Sequence, residues 1–230
     1  MAIILNIDTS TEVCSVALCG DGMILSHHED FDGRNHALFL SGFIKKCLDY
    51  LKERELKLEA IAVSMGPGSY TGLRIGLSEA KGLAFSLNIP LIGINTLQLL
   101  ATTVMFSLEE QDDNTLYVPM IDARRHEVFT AVYDNALREI VKPQPLILDD
   151  DSFQNLLVDN KMFFFGNGSN KAKDFIKSAN ALFVPDVVPL ATNMLALSEL
   201  AWHKREFLDL AYSTPWYFKE FQATTPKQKL

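Results

Sequence analysis

A β-rich run that ends in aspartate occurs twice, half a chain apart, and this repeat limits the possible folds more than any other feature. Residues 3–8 are apolar and end in Asp8; Thr9, Ser10 and Thr11 break the run, and residues 13–19 form a second one. Gly20, Asp21 and Gly22 turn the chain into a third run at 23–28. Strand, turn, strand, turn, strand reads as an antiparallel meander. The pattern returns as Val118-Pro119-Met120-Ile121-Asp122. Glu127-Val128-Phe129-Thr130-Ala131-Val132-Tyr133 then matches Glu12-Val13-Cys14-Ser15-Val16-Ala17-Leu18, with a turn one residue longer. The offset, 114 to 115 residues, is half of the 230-residue chain. Self-similarity at that spacing predicts two related halves from an internal duplication.

Between the copies, strands alternate with helices. Residues 35–53 place apolar side chains at Leu40, Phe43, Ile44, Cys47, Leu48 and Leu51, a helical period. Residues 60–65 predict a short buried strand, 71–87 a second helix, 90–94 a strand and 96–104 a third helix. Such alternation implies an α/β fold, with a partly parallel sheet and helices on its faces. After the second meander, strands are expected at 144–148 and 162–165, and helices near 151–158, 169–177 and 193–207. The polar run at 109–114 marks the junction. The division is residues 1–105, residues 106–212, and a tail at 213–230 that is irregular and, with Lys219, Lys227 and Lys229, locally basic.

Charge narrows the functions. Twenty-nine acidic against 21 basic residues leave −8. A chain of that sign repels a phosphate backbone, which argues against gripping nucleic acid alone over a broad surface and leaves a local basic patch open. The first residues have no basic segment and too short an apolar run for a signal peptide. No stretch approaches the ~20 apolar residues of a membrane span. A cytoplasmic protein without membrane contact is expected, with Cys14, Cys19 and Cys47 as reduced thiols. His27, His28, His36, His126 and His203 include no His-x-x-x-His pair, and Cys-x-x-Cys is absent. No metal and no other cofactor is expected.

The densest motif is Gly66-Pro67-Gly68-Ser69-Tyr70-Thr71-Gly72-Leu73-Arg74-Ile75-Gly76. Gly-Pro-Gly after a strand makes a tight turn, and Ser69 or Thr71 can cap the helix. Gly72, Gly76 and Ala80 are spaced by four and share one face, with Leu83 near it. Each helical glycine costs about 1 kcal/mol relative to alanine. Either another helix comes very close there, or the loop cradles a phosphate. The Gly-Lys-Ser/Thr end of a P-loop is missing. In the helix at 35–53, His36, Leu40, Phe43, Ile44 and Cys47 belong to an apolar arc of roughly 180°, wider than the ~100° that a helix needs for its own core. The excess meets a partner protein, or the helix is wedged between two neighbours of its own chain.

Asp8 and Asp122 end matching strands. Asp8 with Thr9, Ser10 and Thr11 suits a metal–phosphate site, and equally an Asx-type turn. In the second copy Ala123-Arg124-Arg125 replaces the small hydroxylated residues. Gly166-Asn167-Gly168-Ser169 stands between a strand and a helix as a turn or a ligand loop.

Together these residues resemble a known family. Ile7-Asp8-Thr9-Ser10-Thr11, Cys14-Ser15-Val16-Ala17, Arg34-Asn35-His36, the Gly66–Gly76 run, Ala80-Lys81-Gly82-Leu83-Ala84, residues 93–97 and Ile121-Asp122-Ala123-Arg124 are similar to TsaB (YeaZ), small bacterial relatives of TsaD. The likeness spans residues 1–135 in order and returns at Pro215, Tyr217 and Lys219. It departs at Ala37 and Gly42, where the family often has Ser and Pro.

The resemblance implies an actin/sugar-kinase-like (ASKHA) fold of two ribonuclease-H-like halves. It implies a non-catalytic subunit of the complex that transfers threonylcarbamoyl to the adenosine 3′ of the anticodon. TsaD would be the catalytic partner, a TsaE-like ATPase a further one, and tRNA would be met through the complex. The pairing surface carried over comprises Arg34, His36, Leu40, Phe43, Ile44, Cys47, Gly72, Arg74, Gly76, Ala80 and Leu83, which would also serve a homodimer when the chain is alone. Asp8, Thr9, Ser10, Thr11 and Asp122 would be a vestigial nucleotide site. The rival functions are an ATP-binding kinase or ATPase of the same fold, motivated by Asp8 to Ser10, and a glycoprotease-like metallopeptidase.

Overall fold

The computed structural model describes residues 2–33, 35–108 and 112–217. Arg34, the first three residues of the polar junction and Lys219, Lys227 and Lys229 lie outside them. A meander of β1 (Ile4–Asp8), β2 (Cys14–Gly20) and β3 (Met23–Asp30) leads to α1 (His36–Glu53) and β4 (Ala60–Gly66). Then come α2 (Tyr70–Leu87), β5 (Leu91–Asn95) and α3 (Thr96–Ser107). The second half runs β6 (Thr115–Asp122), β7 (Glu127–Tyr133), β8 (Glu139–Ile147), α4 (Gln154–Leu157), β9 (Lys161–Phe165), α5 (Ser169–Ala172) and β10 (Ala181–Phe183). A 3-10 turn at Ala191–Met194 opens α6 (Leu195–Lys204).

The two sheets have five strands each, in the orders β3-β2-β1-β4-β5 and β8-β7-β6-β9-β10. In both, the first three strands are antiparallel and the last two run parallel to the central one. The order repeats strand for strand, which gives the duplicated α/β, actin/sugar-kinase-like architecture. Pro143 and Pro145 fall in β8, where an edge strand tolerates the missing donors.

The halves differ where the sequence alignment did not show it. Glu12 lies in the connection between β1 and β2, whereas Glu127 opens β7, so the two are not equivalent. The second turn is one residue shorter than the first, not longer: five residues separate Asp8 from Cys14 and four separate Asp122 from Glu127. The helices diverge more. α1 and α2 have 18 residues each, and α4 and α5 have four. The helices expected at 151–158 and 169–177 therefore shrink to single turns; Phe153 enters α4 with φ 62, and Asn160 closes it on the Leu156 carbonyl.

α3 joins the halves. Its apolar side chains lie on two faces, one toward each sheet. Leu99 packs on the first sheet with Ile4, Ala62 and Ile92, and Leu97, Leu100 and Val104 pack on the second with Tyr117, Ile121 and Phe165. α6 returns to the first sheet through Leu197 and Ala201. The chain then straps across that half. Leu208 N–H donates to Leu91 O at 2.8 Å and Trp216 N–H to Met65 O at 2.7 Å. Lys81 Nζ donates to the carbonyls of Ala211 and Ser213 at 3.3 and 3.1 Å.

Candidate functional site

The central strands β1 and β6 carry Asp8 and Asp122 at their C-terminal ends, where ligand sites of α/β sheets gather. Asp8, Thr9 and Ser10 are fully buried. Ser10 donates to the Asp8 carboxylate from its N–H at 3.1 Å and from its hydroxyl at 3.0 Å. Burial still dominates and pushes the Asp8 carboxyl up to about 6. Thr9 Oγ–H donates to Gly72 O at 2.8 Å, Ser69 N–H donates to Ser10 O at 2.6 Å, and His36 Nε2 lies 2.8 Å from Thr11 O. Ser69 also caps α2, accepting from Gly72 N–H at 3.2 Å.

This geometry explains the small residues of α2. A Cβ would stand 2.2 Å from Ser10 O at Gly68, 2.1 Å from Thr9 O at Gly72 and 2.3 Å from Thr9 Oγ1 at Gly76. The stripe seats the chain's own β1–β2 connection. The space beside Gly68, Gly72 and Gly76 is filled by Thr9 and Ser10. Gly72 and Gly76 are buried in this way, whereas Ala80 belongs to the first core together with Leu40, Ile44 and Cys47 of α1. In the single chain these six are buried, and they support the α1–α2 face from beneath.

The other described residues of the expected pairing set reach the surface. Arg74 is exposed; His36, Phe43 and Leu83 are half-buried. The wide apolar arc of α1 leans partly on β3, since Phe43 stacks between His28 and Phe39 at centroid distances of 5.7 and 5.9 Å. Between α1 and α2 runs a groove of about 500 Å³, lined by Ala37, Leu40, Ser41, Tyr70, Thr71, Arg74, Ile75, Ser78 and Glu79. Leu38 on α1 is 71% exposed and Phe85 on α2 79%. One wall of the groove is braced by side-chain contacts. The Arg74 guanidinium lies 4.0 Å from the Tyr70 ring centre, and its Nε donates to Tyr217 Oη at 3.0 Å.

The family model described as TsaD, tRNA N6-adenosine threonylcarbamoyltransferase, matches residues 25–225. The tRNA threonylcarbamoyladenosine biosynthesis protein TsaB of Bacillus subtilis is 32% identical over 177 residues, spanning 76% of this chain and 75% of that protein. This chain belongs to the TsaB family. TsaB of Haemophilus influenzae is 29% identical over 227 residues, spanning 94% and 93% of the two chains. The solved structure of YeaZ from Pseudomonas aeruginosa superposes with a TM-score of 0.76 at 28% identity, covering 94% of this chain and all of that one.

In this TsaB-family chain the second corner is a reduced copy of the first. Gly166-Asn167-Gly168-Ser169 follows β9 as Gly66-Pro67-Gly68-Ser69 follows β4, and Gly66 and Gly166 share positive φ, 111 and 90. A Cβ on Gly166 would meet Met120 O at 2.4 Å. The two Gly-x-Gly-Ser loops are a signal the sequence held and the alignment of β-runs passed over. Asp122, unlike Asp8, is exposed and belongs to the other sheet. Lys171 Nζ and the Arg124 N–H both reach its Oδ1 at 2.5 Å. The corners touch through Asn167 Nδ2 and Glu12 Oε2 at 3.4 Å. Among the described residues no group of three His, Cys, Asp or Glu is placed to hold a metal ion, and no helix is long and apolar enough to cross a membrane.

Proposed function

We propose that this chain is a non-catalytic scaffold subunit in tRNA threonylcarbamoyladenosine biosynthesis, pairing with a TsaD-like catalytic subunit through the α1–α2 face. The observation that carries the reading is the groove between these helices, with an apolar floor, a fixed arginine at one wall and exposed Leu38 and Phe85 beyond it. An amphipathic helix fits such a groove. The filled corner around Asp8 supports a scaffold over a kinase, since Gly68, Gly72 and Gly76 pack directly on Thr9 and Ser10.

In this reading residues 1–105 carry the pairing face, residues 106–212 form the second actin-like subdomain, and residues 213–230 form a tail. The same face closes a homodimer when no partner is present. A TsaE-like ATPase joins the pair, tRNA is met through the assembly, and the setting is the cytoplasm.

Ser78→Arg tests it. Ser78 is exposed and lines the groove, so the bulk enters the pairing face without entering the core. The expected result is normal melting and at least tenfold weaker association with a TsaD-type subunit, read by co-elution and light scattering. Unchanged association of a folded variant removes the α1–α2 face from the reading.

A further inference from the structure

We infer that the turn between β6 and β7 is an RNA-phosphate contact made by Arg124 and Arg125; this rests on the reading above that the chain works in tRNA modification. Both arginines are exposed. Neither makes an ion pair or side-chain hydrogen bond among the described residues. Asp122, the carboxylate that opens the turn, is held instead by Lys171 Nζ and by the backbone N–H of Arg124. The tip is therefore locally positive in a chain whose charge sums to −8. An acidic surface steers RNA away, so an unpaired cationic tip sets where a phosphate approaches. The planar guanidinium fork matches phosphate oxygens.

The backbone supports the same reading. Arg124 and Arg125 are successive non-glycine residues at positive φ, 72 and 52, a conformation that glycine and asparagine adopt at lower steric cost. A turn kept for folding alone is better served by those residues, so the arginine side chains are the reason for bearing the strain. The placement also fits. Asn167, which receives the Asp122 N–H, reaches Glu12 in the β1–β2 connection. That connection touches the first residues of α1 and α2 through His36 and Ser69. The arginines stand at the same end of the molecule as the start of the pairing groove.

The test is the double variant Arg124→Asn, Arg125→Gly, titrated with tRNA from 50 to 200 mM salt, alone and with a TsaD-type subunit. One phosphate contact per arginine makes wild-type affinity fall about tenfold more over that range than the variant's. The variant is expected to melt at the same temperature or a few degrees higher, because the turn is relieved of strain. Equal affinity and equal salt dependence of the two chains overturn the inference. So does a variant that melts lower yet binds tRNA as wild type does, since the turn is then structural. Co-elution is read in the same samples: failure of the wild type to pair counts against the proposed function, while titration of the chain alone still decides the arginines.

Discussion

Asp8 is ionisable and fully buried, and its carboxylate accepts hydrogen bonds from the neutral N–H and Oγ–H of Ser10. Its carboxyl titrates near 6 instead of 3.8. Between those values the folded chain holds a proton that the unfolded chain has released. The stability from this group is thus complete below the unfolded value and lost as pH rises through the folded one. Two pH units correspond to about 3 kcal/mol. Asp8→Asn is expected to raise Tm at pH 7.5, with the gain shrinking below pH 5; a gain independent of pH, or a loss at pH 7.5, contradicts this account of burial. The helical glycines divide in the same measurable way. Gly72→Ala drives a Cβ into Thr9 O and is expected to cost about 3 kcal/mol or more. At Gly82 nothing lies within 4 Å, so Gly82→Ala is expected to stabilise by about 1 kcal/mol. Chemical denaturation of both variants checks the pair. The spacing of Gly72, Gly76 and Ala80 announced a close contact, but its partner, Thr9, lies 63 residues away from Gly72. Spacing along one helix carries no information about which distant segment fills its face.

Elements were legible where their period was long. α1 follows the period set by Leu40, Ile44, Cys47 and Leu51, all of which are buried. α2 was visible from its glycine motif and its length. β10 has three half-buried residues and no alternation, so nothing distinguished it from loop. α4 was overestimated because local apolar spacing around Leu156 does not report where Phe153 and Asn160 interrupt the helix, and apolar spacing at Phe175 and Ile176 likewise overextended α5. The difference in helix length has a dynamic consequence. A helix of 18 residues anchored at four or more core positions opens only with its sheet, whereas a single turn opens locally. Hydrogen exchange is expected to be at least a hundredfold slower in the buried turns of α1 and α2 than at Gln154–Leu157 and Ser169–Ala172. Equal protection contradicts a rigid first half and a looser second one.

At the scale of the molecule, duplication was the most informative reading, because a repeated meander dictates a repeated sheet. The sequence showed the two aspartate-ending strands; the structure adds that both sheets keep one strand order while only the first keeps long helices. The order in which a growing chain supplies its parts gives the C-terminal strap a further meaning. Arg74 and Tyr217 are 143 residues apart. At the ~5–20 residues per second of protein synthesis, α2 waits on the order of ten seconds for the ring that fixes its arginine. Until Trp216 reaches Met65 and Tyr217 reaches Arg74, the α1–α2 groove lacks the contacts that brace one of its walls. The last described residues therefore act as a completion mark: a chain broken off before Pro215 can contain the whole of α1 and α2 and still present an unfinished face.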